Sequence, residues 1–206
     1  ITACQQAGGR VLPVTRDLLV RVSHKDNPQT VIAAYNQFSE SIENIGTIKD
    51  GCWVALDRVR DPGNLGTIMR TADAIGAHGV ILIDDCTDAF SVEAVRASMG
   101  AVFNIQICHS SAADFIQFKA GFTKAGFTGQ IIGTALQASS DYRAANWGQP
   151  VILLMGNEQA GLPEPLRNCC DQLIRMPMLG RSDSLNLAVA TGICLYEYLR
   201  HQNSAE

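Results

Sequence analysis

From Cys52 onward, apolar runs of strand length recur along the chain: 52–56, 80–83, 105–108, 130–132, 151–155 and 173–176. They are continuous rather than alternating, the pattern of strands covered on both faces. Between them lie segments with helical spacing: 65–75, 91–99, 112–125, 162–169 and 185–200. Strands alternating with helices predict an α/β domain with a largely parallel sheet flanked by helices. In the first helix Leu65, Ile68, Met69, Ala72 and Ile75 make one stripe, with Arg70 on the opposite side. In the last, the apolar face reads Leu185, Ala188, Val189, Gly192, Ile193, Tyr196 and Leu199.

The first fifty residues differ. Short β-like runs at 10–13, 18–22 and 31–35 are broken by a turn-rich patch, His24 to Gln29, and followed by a polar stretch, Asn36 to Gly51. This is too little for an independent core. The chain is therefore divided into 1–50, a remnant or arm with a linker, and 51–206, the main domain. It starts at Ile1 without a signal-peptide pattern, so a trimmed fragment is expected.

Composition sharpens this picture in two ways. Only 17% of the 206 residues are charged, against roughly 25% in a typical soluble domain. A surface so poor in charge is expected to be partly covered, most simply by a second copy of the chain. With 16 basic and 20 acidic residues the net charge is −4. Any nucleic-acid contact then rests on a local basic patch. The seven cysteines are scattered, with no C-x-x-C pair, and are expected to be reduced thiols in a cytoplasmic compartment. The apolar runs are far too short to span a membrane.

Common α/β chemistries lack their signatures. There is no G-x-G-x-x-G, no phosphate-loop lysine (Gly121 to Gly126 is followed by Phe127), no H-E-x-x-H and no G-x-S-x-G. The four histidines are far apart and no metal motif is found.

Three segments carry polar groups at element ends. In DPGNLGTIMRTADAIG (61–76), Asp61-Pro62-Gly63 is turn chemistry, Asn64 is a candidate N-cap and Gly76 a terminator. Read plainly, it is an ordinary capped helix with a solvated arginine. In VILLMGNEQAGLP (151–163) a buried strand ends at Gly156, and Asn157, Glu158 and Gln159 follow. Ligands collect at such strand ends, although Glu158 can equally be a helix-start acid facing the dipole. In LIRMPMLGRSDSLNLAVATGICLYEYLR (173–200) a loop leads to Ser184, a candidate cap for the last helix. That helix itself reads as a core and dimer element.

Together these segments resemble the three motifs of the SpoU (TrmH-like) branch of the SPOUT RNA methyltransferases. N-x-G-x-x-x-R stands as Asn64, Gly66 and Arg70; G-N-E-x-x-G-L as Gly156, Asn157, Glu158, Gly161 and Leu162; M-x-G-x-x-x-S-L-N as Met178, Gly180, Ser184, Leu185 and Asn186. Residues 18–35 also look like the end of the small substrate-binding domain that precedes the catalytic domain in many relatives.

The resemblance implies a SPOUT α/β-knot, with a C-terminal trefoil knot, a feature otherwise nearly absent from proteins. It implies methyl transfer from S-adenosylmethionine to a ribose 2′-hydroxyl of tRNA or rRNA by a homodimer. Carried onto matching positions, it makes Arg70 the catalytic arginine. Asn64, Glu158, Ser184 and Asn186 become the polar residues holding the arginine, the ribose and the methionine end of the cofactor. Thr134, the Gly156 backbone, Met176 (where relatives often have Ile) and Leu185 would line the adenosine pocket. Arg58, Arg60 and Arg181, with Arg70, would form a basic rim for RNA. Two alternatives remain: a catalytically silent RNA-binding or assembly factor, and a nucleotide- or NAD-binding α/β enzyme, which the missing glycine fingerprints disfavour.

Overall fold

The buried runs form one sheet in the computed structural model. It describes residues 1–42, 45, 50–125, 129–138, 140–148 and 150–203, except the side chains of 122–125. The strands are β1 (Glu40–Ser41), β2 (Cys52–Asp57), β3 (Gly79–Ile83), β4 (Gln106–Ser110), β5 (Gln130–Thr134), β6 (Ser140–Asp141), β7 (Val151–Met155) and β8 (Gln172–Arg175). Their order is β1-β4-β3-β2-β7-β5-β8-β6, and every pairing is parallel. The expected α/β class with a largely parallel, helix-flanked sheet is what the chain adopts. The late strand β8 lies between the earlier strands β5 and β6.

Parallel strands buried on both faces need helices on both faces. The helices of this unit are α3 (Pro62–Ala74), α4 (Val92–Ala97), α5 (Ala112–Ala125), α6 (Glu164–Asn168) and α7 (Leu187–Asn203); α1 (Thr2–Gln6) and α2 (Arg16–Ser23) precede them. Side chains alternate across β2, β3 and β7. Val54, Leu56, Val80, Leu82, Leu153 and Met155 face one core with Leu65, Ile68, Met69 and Ala72 of α3 and Leu187, Cys194 and Leu195 of α7. Trp53, Ala55, Ile81, Ile83, Ile152 and Leu154 face the other, with Phe115 of α5 and Leu166 of α6. Each of these large apolar side chains contributes about 2 kcal/mol by burial. The edge strands β1 and β6 are two residues long and polar, which limits further edge pairing.

The chain divides into two compact units, 1–37 and 38–206. In the first, no residue is buried. Residues 18–22, read as β-like from sequence, lie instead in α2. Thr15 caps that helix by accepting from Leu18 N at 3.3 Å, with Asp17 in its first turn and Arg21 in its last. Both charges suit the helix dipole, and a short apolar run alone does not separate helix from strand. Residues 10–13 and 31–35 form no strand. Of the polar stretch 36–51, residues 43–44 and 46–49 lie outside the described residues.

Two caps differ from expectation. Asp61, not Asn64, caps α3: its carboxylate accepts from Asn64 N at 2.6 Å, and Pro62 opens the helix. Asn64 is thereby moved into the first turn with its side chain released. Asn186, not Ser184, caps α7, accepting from Ala188 N at 2.9 Å and Val189 N at 3.3 Å. The buried face of α7 is also not the one periodicity suggested. Leu187, Ala188, Ala190, Thr191, Cys194, Leu195 and Tyr198 are buried, whereas Val189 and Tyr196 are 52% and 56% exposed. This helix carries apolar residues on two faces, and local spacing cannot choose between them.

Candidate active site

Because β2 and β7 pair in parallel with Leu56 opposite Met155, the loops that follow them leave the sheet side by side. The β2 loop is braced first. Buried Asp57 holds the Arg58 guanidinium through Nε (3.1 Å) and Nη2 (2.9 Å). Arg58 has a left-handed backbone, φ 47°, which costs a non-glycine residue about 1 kcal/mol. Its N–H donates to Ile83 O at 3.0 Å and its carbonyl accepts from Asn157 Nδ2 at 2.8 Å. The hydrogen bond to Asp57, then its charge, raise the Arg58 pKa.

The β7 loop folds back on itself. Asn157 Oδ1 accepts from Gln159 N (3.0 Å) and Ala160 N (3.1 Å), and Gly161 N donates to Asn157 O at 2.9 Å. Gly156 lies against the returning chain: a Cβ there would sit 2.3 Å from Gly161 C and 2.4 Å from Leu162 N. Gly161 itself has φ +65°. The G-N-E-x-x-G segment is thus a backbone cradle whose two glycines have steric reasons.

The third segment closes on the first two. Asn64 Nδ2 donates to Glu158 Oε1 at 3.3 Å across 94 residues of sequence, and Asn186 Nδ2 donates to Asn64 Oδ1 at 2.9 Å across 122. Asn64, at the start of α3, therefore links the loop after β7 with the cap of α7. Gly66 permits the close approach of α4, since its Cβ would lie 2.4 Å from Ala94 O.

The loop after β5, Leu173 of β8 and helix α6 flank an open cleft of about 260 Å³, lined by Ala135, Gln137, Ala138, Glu164, Arg167, Asn168 and Leu173. Thr134, the residue before Ala135, donates through Oγ1 to Met155 Sδ at 3.8 Å. Met176 is half-buried against the core and Leu185 is 38% exposed. Thr134, Gly156, Met176 and Leu185 do not line the cavity themselves. Its wall mixes small apolar side chains with amide and charged groups.

The family's sequence profile, described as SpoU rRNA Methylase family, matches residues 51–196. The chain belongs to the SpoU rRNA methylase family. It is 34% identical over 190 residues to a 23S rRNA (uridine(2479)-2′-O)-methyltransferase of Streptomyces viridochromogenes, covering 91% of this chain and 66% of that protein, slightly under two thirds of its length. It is 31% identical over 192 residues to the 23S rRNA (guanosine(2553)-2′-O)-methyltransferase RlmP of Bacillus subtilis, covering 93% and 73%. Among solved structures it is similar to an AdoMet-bound rRNA methyltransferase from Sinorhizobium meliloti, with TM-score 0.90 and 47% identity over 97% of this chain and 75% of that one.

In this SpoU-family chain the structure joins Asn64, Glu158 and Asn186 by hydrogen bonds, and among the described residues neither Arg70 nor Ser184 bonds to them. Arg70 is exposed on α3, and its side chain has no hydrogen bond or ion pair among the described residues. It lies six residues beyond Asn64, about 9 Å along the helix axis. Ser184 is exposed and likewise unbonded among the described residues. The basic positions are not equivalent. Arg58 is tied to Asp57, Arg60 pairs with exposed Asp85 at 2.7 Å, and Arg181 is exposed with no such partner. Two supporting residues had no role assigned from sequence, although Asn157 stands in the second motif. Asn157 joins the β2 and β7 loops, and Asp57 anchors Arg58. The first had a signal, since it follows Gly156 at a strand end, whereas a single Asp closing an apolar run had none.

Among the described residues no group of three or more His, Cys, Asp or Glu converges in a way that could hold a metal ion. No helix among them is long and apolar enough to cross a membrane.

Proposed function

We propose that the chain transfers a methyl group from S-adenosylmethionine to a ribose 2′-hydroxyl of rRNA or tRNA. The observation that carries this reading is the convergence of the three family motifs on Asn64, through Glu158 and Asn186. The curated relatives are named as 23S rRNA 2′-O-methyltransferases, and similar structures are described as AdoMet-bound.

A ribose hydroxyl is a weak nucleophile, and bound S-adenosylmethionine would supply a methyl group on a good leaving group. The chain's task is to position the hydroxyl and remove charge and proton cost. Arg70 is an awkward base, because a guanidinium gives up its proton only with great difficulty. Its reading here is electrostatic: an unpaired guanidinium set to stabilise the developing alkoxide. Asn64, Glu158 and Asn186 form the rigid polar rim against which ribose and the methionine end are held, with Ser184 joining from the loop after β8. Thr134, the Gly156 backbone, Met176 and Leu185 take the adenosine beside the cavity.

Arg60, Arg70 and Arg181 are the exposed cations that would meet RNA phosphates, with Arg58 fixing the loop that carries Arg60. A homodimer, supported by the exposed Val189 and Tyr196 face of α7, would cover the charge-poor surface and double that rim. The insertion of β8 between β5 and β6 supports a knotted C-terminal passage. Residues 1–50 are read as the remnant of an RNA-selecting domain and its linker, and the working compartment as the cytoplasm.

The test is methyl transfer from labelled S-adenosylmethionine to bulk RNA from cells lacking the gene, followed by ribose-methylation mapping. Label at one 2′-O position supports the reading. Cofactor and RNA binding without transfer identifies a silent RNA-binding relative instead.

A further inference from the structure

Seven cysteines are free among the described residues, and they are not alike. Burial pushes Cys52, Cys108 and Cys194 up to about 12, which makes them inert. Cys169 and Cys170 are adjacent, half-buried, and follow directly on α6. Both thiols donate to one carbonyl, Leu166 O, at 3.0 and 3.2 Å. The shared acceptor holds the two sulfurs beside each other. Lys119, ion-paired with Asp171, stands next to them, and Asp171 is locked to β5 by accepting from Ile131 N at 2.7 Å. On the other side Cys170 Sγ presses on Gly133, where a Cβ would be 2.4 Å away.

We propose that Cys169 and Cys170 form a modification site, a dithiol that a hydroperoxide closes to a vicinal disulfide. Attack of the Cys169 sulfur on the peroxide breaks the O–O bond, giving Cys169 sulfenic acid and releasing an alcohol or water. Cys170 sulfur then attacks Cys169 sulfur and water leaves. Two thiols are oxidised by two electrons, one peroxide is reduced, and the two thiol protons end in the released alcohol and water. The two residues are suited to unequal roles. The neighbouring Cys170 thiol, and then the Lys119 charge, lower the Cys169 pKa, while the same neighbour and burial push Cys170 up.

The consequence follows from position. Both thiol donors to Leu166 O disappear on oxidation, so the last turn of α6 keeps the Cys170 N–H to Arg167 O bond but loses its two side-chain bonds. Glu164, Arg167 and Asn168 of α6 line the cleft with Ala135 and Ala138 of the loop after β5. Adjacent Cα atoms are about 3.8 Å apart, below the ordinary disulfide range of about 4.4–6.8 Å, so the ring is strained and easily reduced. The site would therefore weaken nucleoside binding reversibly. That last clause rests on the cofactor reading above; the modification itself does not.

The experiment uses the full chain with the exposed Cys4 replaced (Cys4→Ser), treated with hydrogen peroxide, alkylated and digested. The expected result is a 169–170 peptide about 2 Da lighter and unalkylated, restored by a thiol reductant. Phenylarsine oxide, a dithiol probe, should bind once, and binding should vanish in Cys169→Ser and in Cys170→Ser. Both variants keep a hydroxyl donor for Leu166 O and so report a folded protein. Calorimetry should show S-adenosylmethionine binding about tenfold weaker after oxidation, with no change in either serine variant. Peroxide that leaves 169–170 as free thiols overturns the site. A mapped disulfide with unchanged cofactor affinity overturns the coupling. If the reduced chain binds no S-adenosylmethionine, the failure belongs to the cofactor reading, and the peptide mass still decides the site.

Discussion

The loops after β2 and β7 and the loop after β8 reach the same corner of the sheet but are held very differently. The first two are cross-braced: Asp57 to Arg58, Arg58 to Asn157, Asn157 to its own backbone, and Glu158 to Asn64. In the third, residues 177–185 make no hydrogen bond among the described residues, and Leu179 is 99% exposed. Only at Asn186 is the chain tied down again. Polar groups already bonded within the protein act as a frame. The exposed side chains without a partner among the described residues, Arg70, Arg181 and Ser184, are the ones the proposed reading assigns to a ligand, because a group satisfied internally must lose that bond before it can make another.

The comparison breaks first at Arg70. Arg70→Ala should lower methyl transfer by about 10²–10³-fold without changing the denaturation midpoint, as removal of an unpaired stabilising charge does. Arg70→Lys should keep part of the activity; a fall as deep as that of alanine would refute a purely electrostatic role. On the framed side, Gly156→Ala should cost stability, by about 1–3 kcal/mol in urea denaturation, because its Cβ meets the Gly161 backbone. Asn186→Ala should lose about 1 kcal/mol with the α7 cap, while Asn186→Asp keeps the cap, loses the donor to Asn64, and should lower activity more than stability.

Smaller effects sharpen the same contrast. Arg181→Ala should reduce the salt dependence of RNA binding by about one phosphate contact, and Arg60→Ala by less, because Asp85 already holds that charge. Equal effects would mean that pairing in the free protein is irrelevant. The smallest test concerns the half-buried Asp141, whose pKa the Arg143 hydrogen bond lowers from 3.8 to about 2. Its contribution is present above about pH 4 and fades as pH falls towards 2, so the stability gap between the protein and Asp141→Asn, followed by thermal melts, should narrow on acidification and stay constant from pH 5 to 7.

Legibility along the chain followed burial. The run Val151–Met155 was bounded to the residue and α5 likewise, since long apolar periodicities are written in neighbouring positions. The two-residue strands β1 and β6 were invisible, being polar and defined only by the strands they pair with. Residues 18–22 misled because five apolar and polar positions fit either period, and the deciding signal was the Thr15 cap outside them. Asn64 and Ser184 were both taken for caps; each chain segment offers two polar residues near the helix start, and only the three-dimensional course decides which one turns inward.

Read alone, the amino-acid order specified a parallel α/β sheet, an exposed Arg70 opposite an apolar stripe, and three motif segments in sequence. Which polar side chains meet was beyond it. Asn64 finds Glu158 and Asn186 because β2 and β7 are neighbours and α7 returns over α3, a matter of strand order and helix docking. Spacing along a chain encodes which face a residue takes, whereas contacts across a hundred residues depend on how the faces are stacked.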